Sequence, residues 1–197
     1  MAIQWDATWT HGRRGTVEGA LERITRMLLR SYLSIRVVRS DQQAKATYVQ
    51  HFRDPLLNHL PRASNIIRLM HDRVTTQQVM IMSYVPNLAA FNALGLVLPP
   101  GMSFETIEAF VIQRGVAAAM PLTVYIGPAF FTHNVYIPKA VNQRTGTGTI
   151  LHELSHGVGN TADHAYTWEP RYASLTANQR TNNADSYRAY CQSFDML

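Results

Sequence analysis

The stretch GTGTILHELSHGVGN, residues 146–160, decides how this chain is read. His152 and His156 stand four residues apart, with Glu153 beside the first. On a helix, two imidazoles at that spacing share one face, separated by about 6 Å of rise. That is close enough to hold one metal ion together. Glu153 lies about 100° further round the helix. From there its carboxylate reaches a metal-activated water without taking a coordination position. Ile150, Leu151, Leu154 and Val158 form the opposite face and are expected to anchor the helix in the core. Thr147 or Thr149 is the expected N-cap, and Gly157 or Gly159 the expected stop.

A catalytic zinc requires a third protein ligand and an open position. The residues just downstream offer Asp163, His164 and Glu169. The longer pattern HExxHxxGxxH fits Gly159 but fails at Ala162, where its last ligand belongs. No glutamate follows Glu169 to supply a ligand from a later helix. Asp163, a hard anionic donor in the loop after the helix, is the economical choice, with His164 and Glu169 as alternatives.

With these residues placed, the chain resembles the aspzincins, the deuterolysin and peptidyl-lysine metallopeptidase group. Their pattern is HExxH, then a short loop Gly-Thr-x-Asp, then Tyr three residues on. Thr161, Asp163 and Tyr166 match it, and Asn160 replaces the glycine. Asparagine is among the residues most tolerant of left-handed backbone, so the departure is mild. GPAFF at 127–131 and NADSY at 183–187 extend the likeness, which covers about residues 122–194. The resemblance implies a zincin-like metallopeptidase binding Zn2+. It makes Asp163 the third ligand and Tyr166 the phenol that stabilises an oxyanion. In the lysine-specific branch, acids placed like Asp185 and like residue 188 read the substrate's lysine. Arg188 stands at the second place here, and a cation there repels lysine. Asp185 and Arg188 are therefore candidate substrate-binding residues, and a mutual ion pair is the other expectation. Of the remaining histidines, only His133 and His164 are near enough in sequence to support a ligand.

Working outward, TVEGALERITRMLLRSY at 16–32 predicts an amphipathic helix, with Val17, Leu21, Ile24, Leu28 and Leu29 on its apolar face. A weaker helix is expected over 64–82, with Ile66, Ile67, Met70 and Val74 as its stripe. Ser103 resembles an N-cap opening a helix toward Arg114 and Gly115. LTVYIGPAFF, from 122, reads as a strand broken by a turn at Gly127-Pro128, and NVYIP at 134–138 as a second short strand. NNADSYRAYCQSF reads as a closing helix. The expected fold is α+β, mainly helical, with a small sheet beside the HExxH helix. One domain is expected over 1–197, with residues 1–121 mainly helical and residues 122–197 carrying the site.

The chain has 197 residues, 46% hydrophobic and 16% charged, which describes a globular protein able to bury a core without staples. Its net charge of +5 comes from scattered arginines rather than a basic block, so nucleic acid is not an expected partner. The single Cys191 excludes an internal disulfide. The uncharged run from Thr75 to Phe104 is interrupted by Pro86, Asn87 and Asn92, so buried elements are expected there rather than a membrane span. The N-terminus shows no apolar segment flanked by basic residues, as a secretory signal would.

These features predict a zinc metalloendopeptidase acting on proteins or peptides. An effector or toxin role, with an inhibitor or immunity protein as a further partner, is expected from the hazard of such an activity to its producer. The alternative is a non-catalytic interaction domain with a structural zinc and a basic binding surface. Structural zinc favours cysteine and four protein ligands, and no cysteine lies near the motif.

Overall fold

The computed structural model describes residues 2–76, 79–112, 121–132 and 143–195. A small mixed sheet is built from β1 (Ala2–Trp5), β2 (Val79–Tyr84), β3 (Ala109–Phe110) and β4 (Leu122–Ile126), in the order β1-β2-β4-β3. β1, β2 and β4 run parallel, with Met80 opposite Leu122 and Tyr84 opposite Ile126. β3 is antiparallel to β4 and lies at the sheet's edge. The helices are α1 (His11–Arg36), α2 (Gln42–Phe52), α3 (Leu60–Thr75), α4 (Leu88–Ala93), α5 (Gly146–Gly159), α6 (Ala177–Thr181) and α7 (Ala184–Gln192).

One hydrophobic cluster joins α1, α2, α3, β2, β4, α5 and α7. Val17, Leu21, Ile24 and Leu28 of α1 are buried in it, as are Ile66, Ile67, Met70 and Val74 of α3. Leu29 departs from the expected stripe and is 47% exposed, because Met27 and Ser31 take the inward positions on either side of Leu28. α5 packs against α7, α3 and α1 and against β3 and β4. Ile150, Leu151 and Leu154 are fully buried there, each contributing roughly 1.5–3 kcal/mol. A second, smaller cluster of Val85, Phe91 and Phe104 lies under α4 and the segment after it.

The helix expected over 64–82 ends at Thr75, and Val79–Tyr84 is a strand. Met80, Met82 and Tyr84 are buried while Ile81 and Ser83 are only half-buried, a period of two that a helical reading cannot accommodate. The helix expected from Ser103 is instead a single 3-10 turn, Phe104–Thr106, with no cap from the Ser103 side chain. The chain then enters β3, where backbone pairing with β4 replaces helical bonds. β1 and α2 carry no motif that the sequence alone singles out. The strand and turn expected from 122 are present as β4 and the 3-10 turn Pro128–Thr132. Gly127 is needed at that turn: a Cβ there would sit 2.3 Å from the Ile107 carbonyl oxygen. The closing helix corresponds to α7. The strand expected at 134–138, residues 114 and 115, and His133 lie outside the described residues. Among the described residues, no helix is long and apolar enough to cross a membrane.

Candidate metal centre

Thr145, not Thr147 or Thr149, caps α5, its hydroxyl accepting the Gly148 N–H at 3.0 Å. The helix stops at Asn160, whose φ of 48° gives the left-handed turn that glycine was expected to supply. Gly157 and Gly159 serve packing instead. A Cβ on Gly157 would lie 2.4 Å from a Leu122 methyl, and one on Gly159 would lie 2.9 Å from Ile66. These close approaches set α5 tightly against β4 and α3.

The helix thus held brings His152 and His156 together, their Nε2 atoms 3.0 Å apart. Asp163 Oδ1 lies 2.9 Å from His152 Nε2 and 3.2 Å from His156 Nε2. Three donors at these spacings approach the edge of a tetrahedron, roughly 3.3 Å for bonds of about 2.0–2.1 Å, so the set fits zinc in size and in chemistry. Each imidazole is turned by its far nitrogen. His156 Nδ1–H donates to the Thr161 carbonyl at 2.8 Å, leaving Nε2 as a lone pair for the metal. His152 Nδ1 faces Asp185 Oδ1 at 3.7 Å, an ionic contact on the side away from Asp163. Burial opposes charge on His152, but Asp163 and Asp185 outweigh it and raise its pKa from 6.5 to about 10. Burial would raise Asp163, yet its two histidine neighbours hold its carboxyl well below the usual range.

The ligand loop is fixed by Asn183, which entered the sequence pattern only as a member of NADSY. Fully buried, its Oδ1 accepts the His164 N–H at 2.8 Å and the Ala165 N–H at 3.1 Å, while its Nδ2 donates to the Ala165 carbonyl at 2.8 Å. A parallel bridge joins Ala162 to Asn183. His164 and Glu169, the alternatives to Asp163, are directed elsewhere. His164 Nε2 meets Asn182 Nδ2 at 3.3 Å, and Glu169 accepts the Tyr166 N–H at 3.1 Å.

Glu153 is buried on the same helix, beside the donors. Burial raises its pKa to about 6, against the lowering effect of both histidines and of a hydrogen bond from the Val111 N–H just past β3. The Tyr166 ring stacks on His152, with centroids 5.5 Å apart, and Trp168 stacks on Tyr166 at 4.7 Å. Burial, reinforced by the negative charge of Asp163, pushes the Tyr166 phenol above its ordinary value, so it stays protonated.

Asp185 and Arg188 lie beside His152 in the wall of the cleft and are paired with each other. They are 1% and 2% exposed, and the Arg188 guanidinium donates to both carboxylate oxygens, with Nη2 to Oδ2 at 2.9 Å. A cleft of about 720 Å³ opens from His152 and Glu153 past β3 to the residues between α4 and Thr106. Its walls also carry Arg144, Glu108 and Trp168, which no motif singled out.

Residues 116–192 match the aspzincin family model, described as lysine-specific metallo-endopeptidase. Among solved structures, the chain is similar to a zinc peptidase from Grifola frondosa, with a TM-score of 0.64 and 16% identity over 94% of this chain and 97% of that one. A search of the curated proteins found no match. The fold is similar to that of the Grifola frondosa zinc peptidase: a mainly helical α+β protein with a small mixed sheet. The family match and the donor set agree on a metallopeptidase that uses Zn2+ and acts on peptide bonds.

Proposed function

We propose that this protein is a zinc metalloendopeptidase in which His152, His156 and Asp163 hold the metal and Glu153 handles the proton. The carrying observation is the triangle of donor atoms, 2.9–3.2 Å on each side, at the end of a cleft that Glu153 also lines. Bound zinc would supply a Lewis acid for the scissile carbonyl and lower the pKa of a water toward 7.

Glu153, with a pKa near 6, is ionised at neutral pH and close enough to that value to accept a proton and return it to the leaving amine. The Val111 N–H holds its carboxylate from the side of β3. Tyr166, kept protonated and fixed by stacking between His152 and Trp168, donates a hydrogen bond to the developing oxyanion. Asp185, pinned by Arg188, acts through His152 as a positioning residue. β3 pairs only with β4 among the described residues, so its other edge offers backbone groups to an extended peptide lying in the cleft. Three donors rather than four among the described residues, with a buried carboxylate beside them, favour this reading over a structural zinc.

The test compares wild type with Glu153→Gln on a mixed peptide library, with zinc content measured on both. The expected result is about one zinc per chain in each protein and a fall in cleavage of about 10²–10⁴-fold in the variant. Equal cleavage by the two proteins, or no zinc in wild type, contradicts the reading.

A further inference from the structure

We propose that the cleft beside the metal donors selects a large apolar or aromatic side chain next to the scissile bond, and not a lysine. The inference rests on the peptidase reading above and names its substrate class.

The acid that the family resemblance would assign to lysine recognition is closed off. Asp185 is almost fully buried, and its carboxylate receives the Arg188 guanidinium and the Thr167 N–H, the latter at 2.6 Å. Arg188 is equally committed. Its five N–H groups meet acceptors on Asp185, Thr167, Gln192 and the Gln143 carbonyl. Neither charge of the pair is left to meet a ligand.

The second acid of the wall is covered in the same way. Glu108 is buried, holds the Arg144 guanidinium, and accepts the Thr149 hydroxyl. Arg144 in turn lies 5.3 Å over the Trp168 ring. Two cation–anion pairs therefore cancel within the cleft. Asp163 and Glu153 are committed to the metal and to proton transfer.

Most of what remains among the described lining residues is apolar, including Leu96, Leu98, Ile107, Phe110 and Trp168, with Phe91 edge-on to Phe110 at 5.3 Å; Thr106, Thr145, Thr149 and Tyr166 add only hydroxyls. An ammonium brought there gives up water and, among the described residues, gains neutral oxygens rather than a carboxylate not already paired or committed to the metal centre. An apolar side chain is transferred from water at a gain proportional to its area. The lysine preference in the family's description therefore does not extend to this chain's cleft.

Zinc-loaded protein is incubated with a proteome-derived peptide library, and the cleaved bonds are read by mass spectrometry. Phe, Tyr, Leu and Met are expected to be enriched about ten-fold or more at one fixed position beside the cut. Leu98→Glu, which adds an acid to the wall away from the metal donors, is expected to move the preference toward lysine and arginine. Its zinc content and unfolding temperature serve as controls. Should that variant fold poorly, Met102→Glu at the exposed rim carries the same test. Lysine, acidic or unselective cleavage by wild type overturns the inference while the peptidase reading stands. An unchanged preference in a folded Leu98→Glu or Met102→Glu also counts against it. No cleavage by zinc-loaded wild type removes both.

Discussion

The two ends of this chain are related to their neighbours in different ways. Residues 116–192 carry a recognisable family pattern, whereas similarity to the Grifola frondosa zinc peptidase extends over 94% of the chain at only 16% identity. The difference lies in what each region must place. In the C-terminal region individual atoms matter: an Nδ1–H aimed at the Thr161 carbonyl, an Asn183 amide bonded three ways, a carboxylate 2.9 Å from an imidazole. Few residue types perform each task. In α1 and α3 the requirement is apolar volume at helical spacing, which many combinations of Leu, Ile, Met and Val satisfy. Atomic placement preserves residue identity, and volume filling preserves only the fold.

Separate readouts of zinc affinity and of stability sharpen that contrast. The largest effect is expected from Arg188→Met, which leaves Asp185 buried without its counter-charge. Breaking such a pair costs about 3–5 kcal/mol, and disturbing the partner of a metal-binding histidine weakens affinity about 10- to 100-fold. Denaturant unfolding and zinc titration of the one variant should both move; an unchanged zinc affinity would separate Asp185 from the centre.

A buried group of α2 should behave in the opposite way. His51 has no hydrogen-bond partner for Nε2 among the described residues and packs edge-on to Tyr190. Burial lowers its pKa from 6.5 to about 4, with Arg180 and Arg188 acting in the same direction. The unfolded chain takes up a proton at pH 6.5, while the folded protein refuses it until about pH 4. Stability is therefore present above pH 6.5 and declines as pH falls through that window, by up to roughly 3 kcal/mol. His51→Leu should flatten this segment of the stability–pH curve and leave zinc affinity at pH 7 unchanged. Parallel curves for the two proteins would refute the assignment.

The smallest effect concerns Asn160, at φ 48°. Asn160→Ala should lower stability by about 1 kcal/mol, and Asn160→Gly by less than about 0.5 kcal/mol, as read from unfolding midpoints. Equal losses would show that the asparagine side chain, not its backbone, matters at the helix stop.

Much of the site was legible because its spacing is local. His152, Glu153 and His156 share one helix, Asp163 and Tyr166 follow within ten residues, and the apolar back of α5 repeats at helical intervals. The pairing of Asp185 with Arg188 was also open to a sequence reader, being a three-residue spacing on α7. That the pair lies buried beside His152 was not, since burial depends on α5 packing against α7. Arg144 and Glu108 meet across 36 residues, and Thr149 joins them from α5; no periodicity announces such a contact. A helical pattern runs on into β2 because Ile81 falls on the 3.6-residue stripe begun at Ile66. Only pairing with β1 and β4 decides for the strand. β3, two residues long, exists by virtue of β4 and has no pattern of its own.

The third donor decides between an aspartate-completed centre and any other. Calorimetric zinc titration of wild type, Asp163→Ala and Glu169→Ala distinguishes the loop's two carboxylates. Wild type and Glu169→Ala should each bind about one zinc with similar affinity. Asp163→Ala should bind it more weakly than the 10- to 100-fold loss typical of removing a ligand's supporting partner. Undiminished affinity in Asp163→Ala, or its loss in Glu169→Ala, would contradict the His152–His156–Asp163 centre.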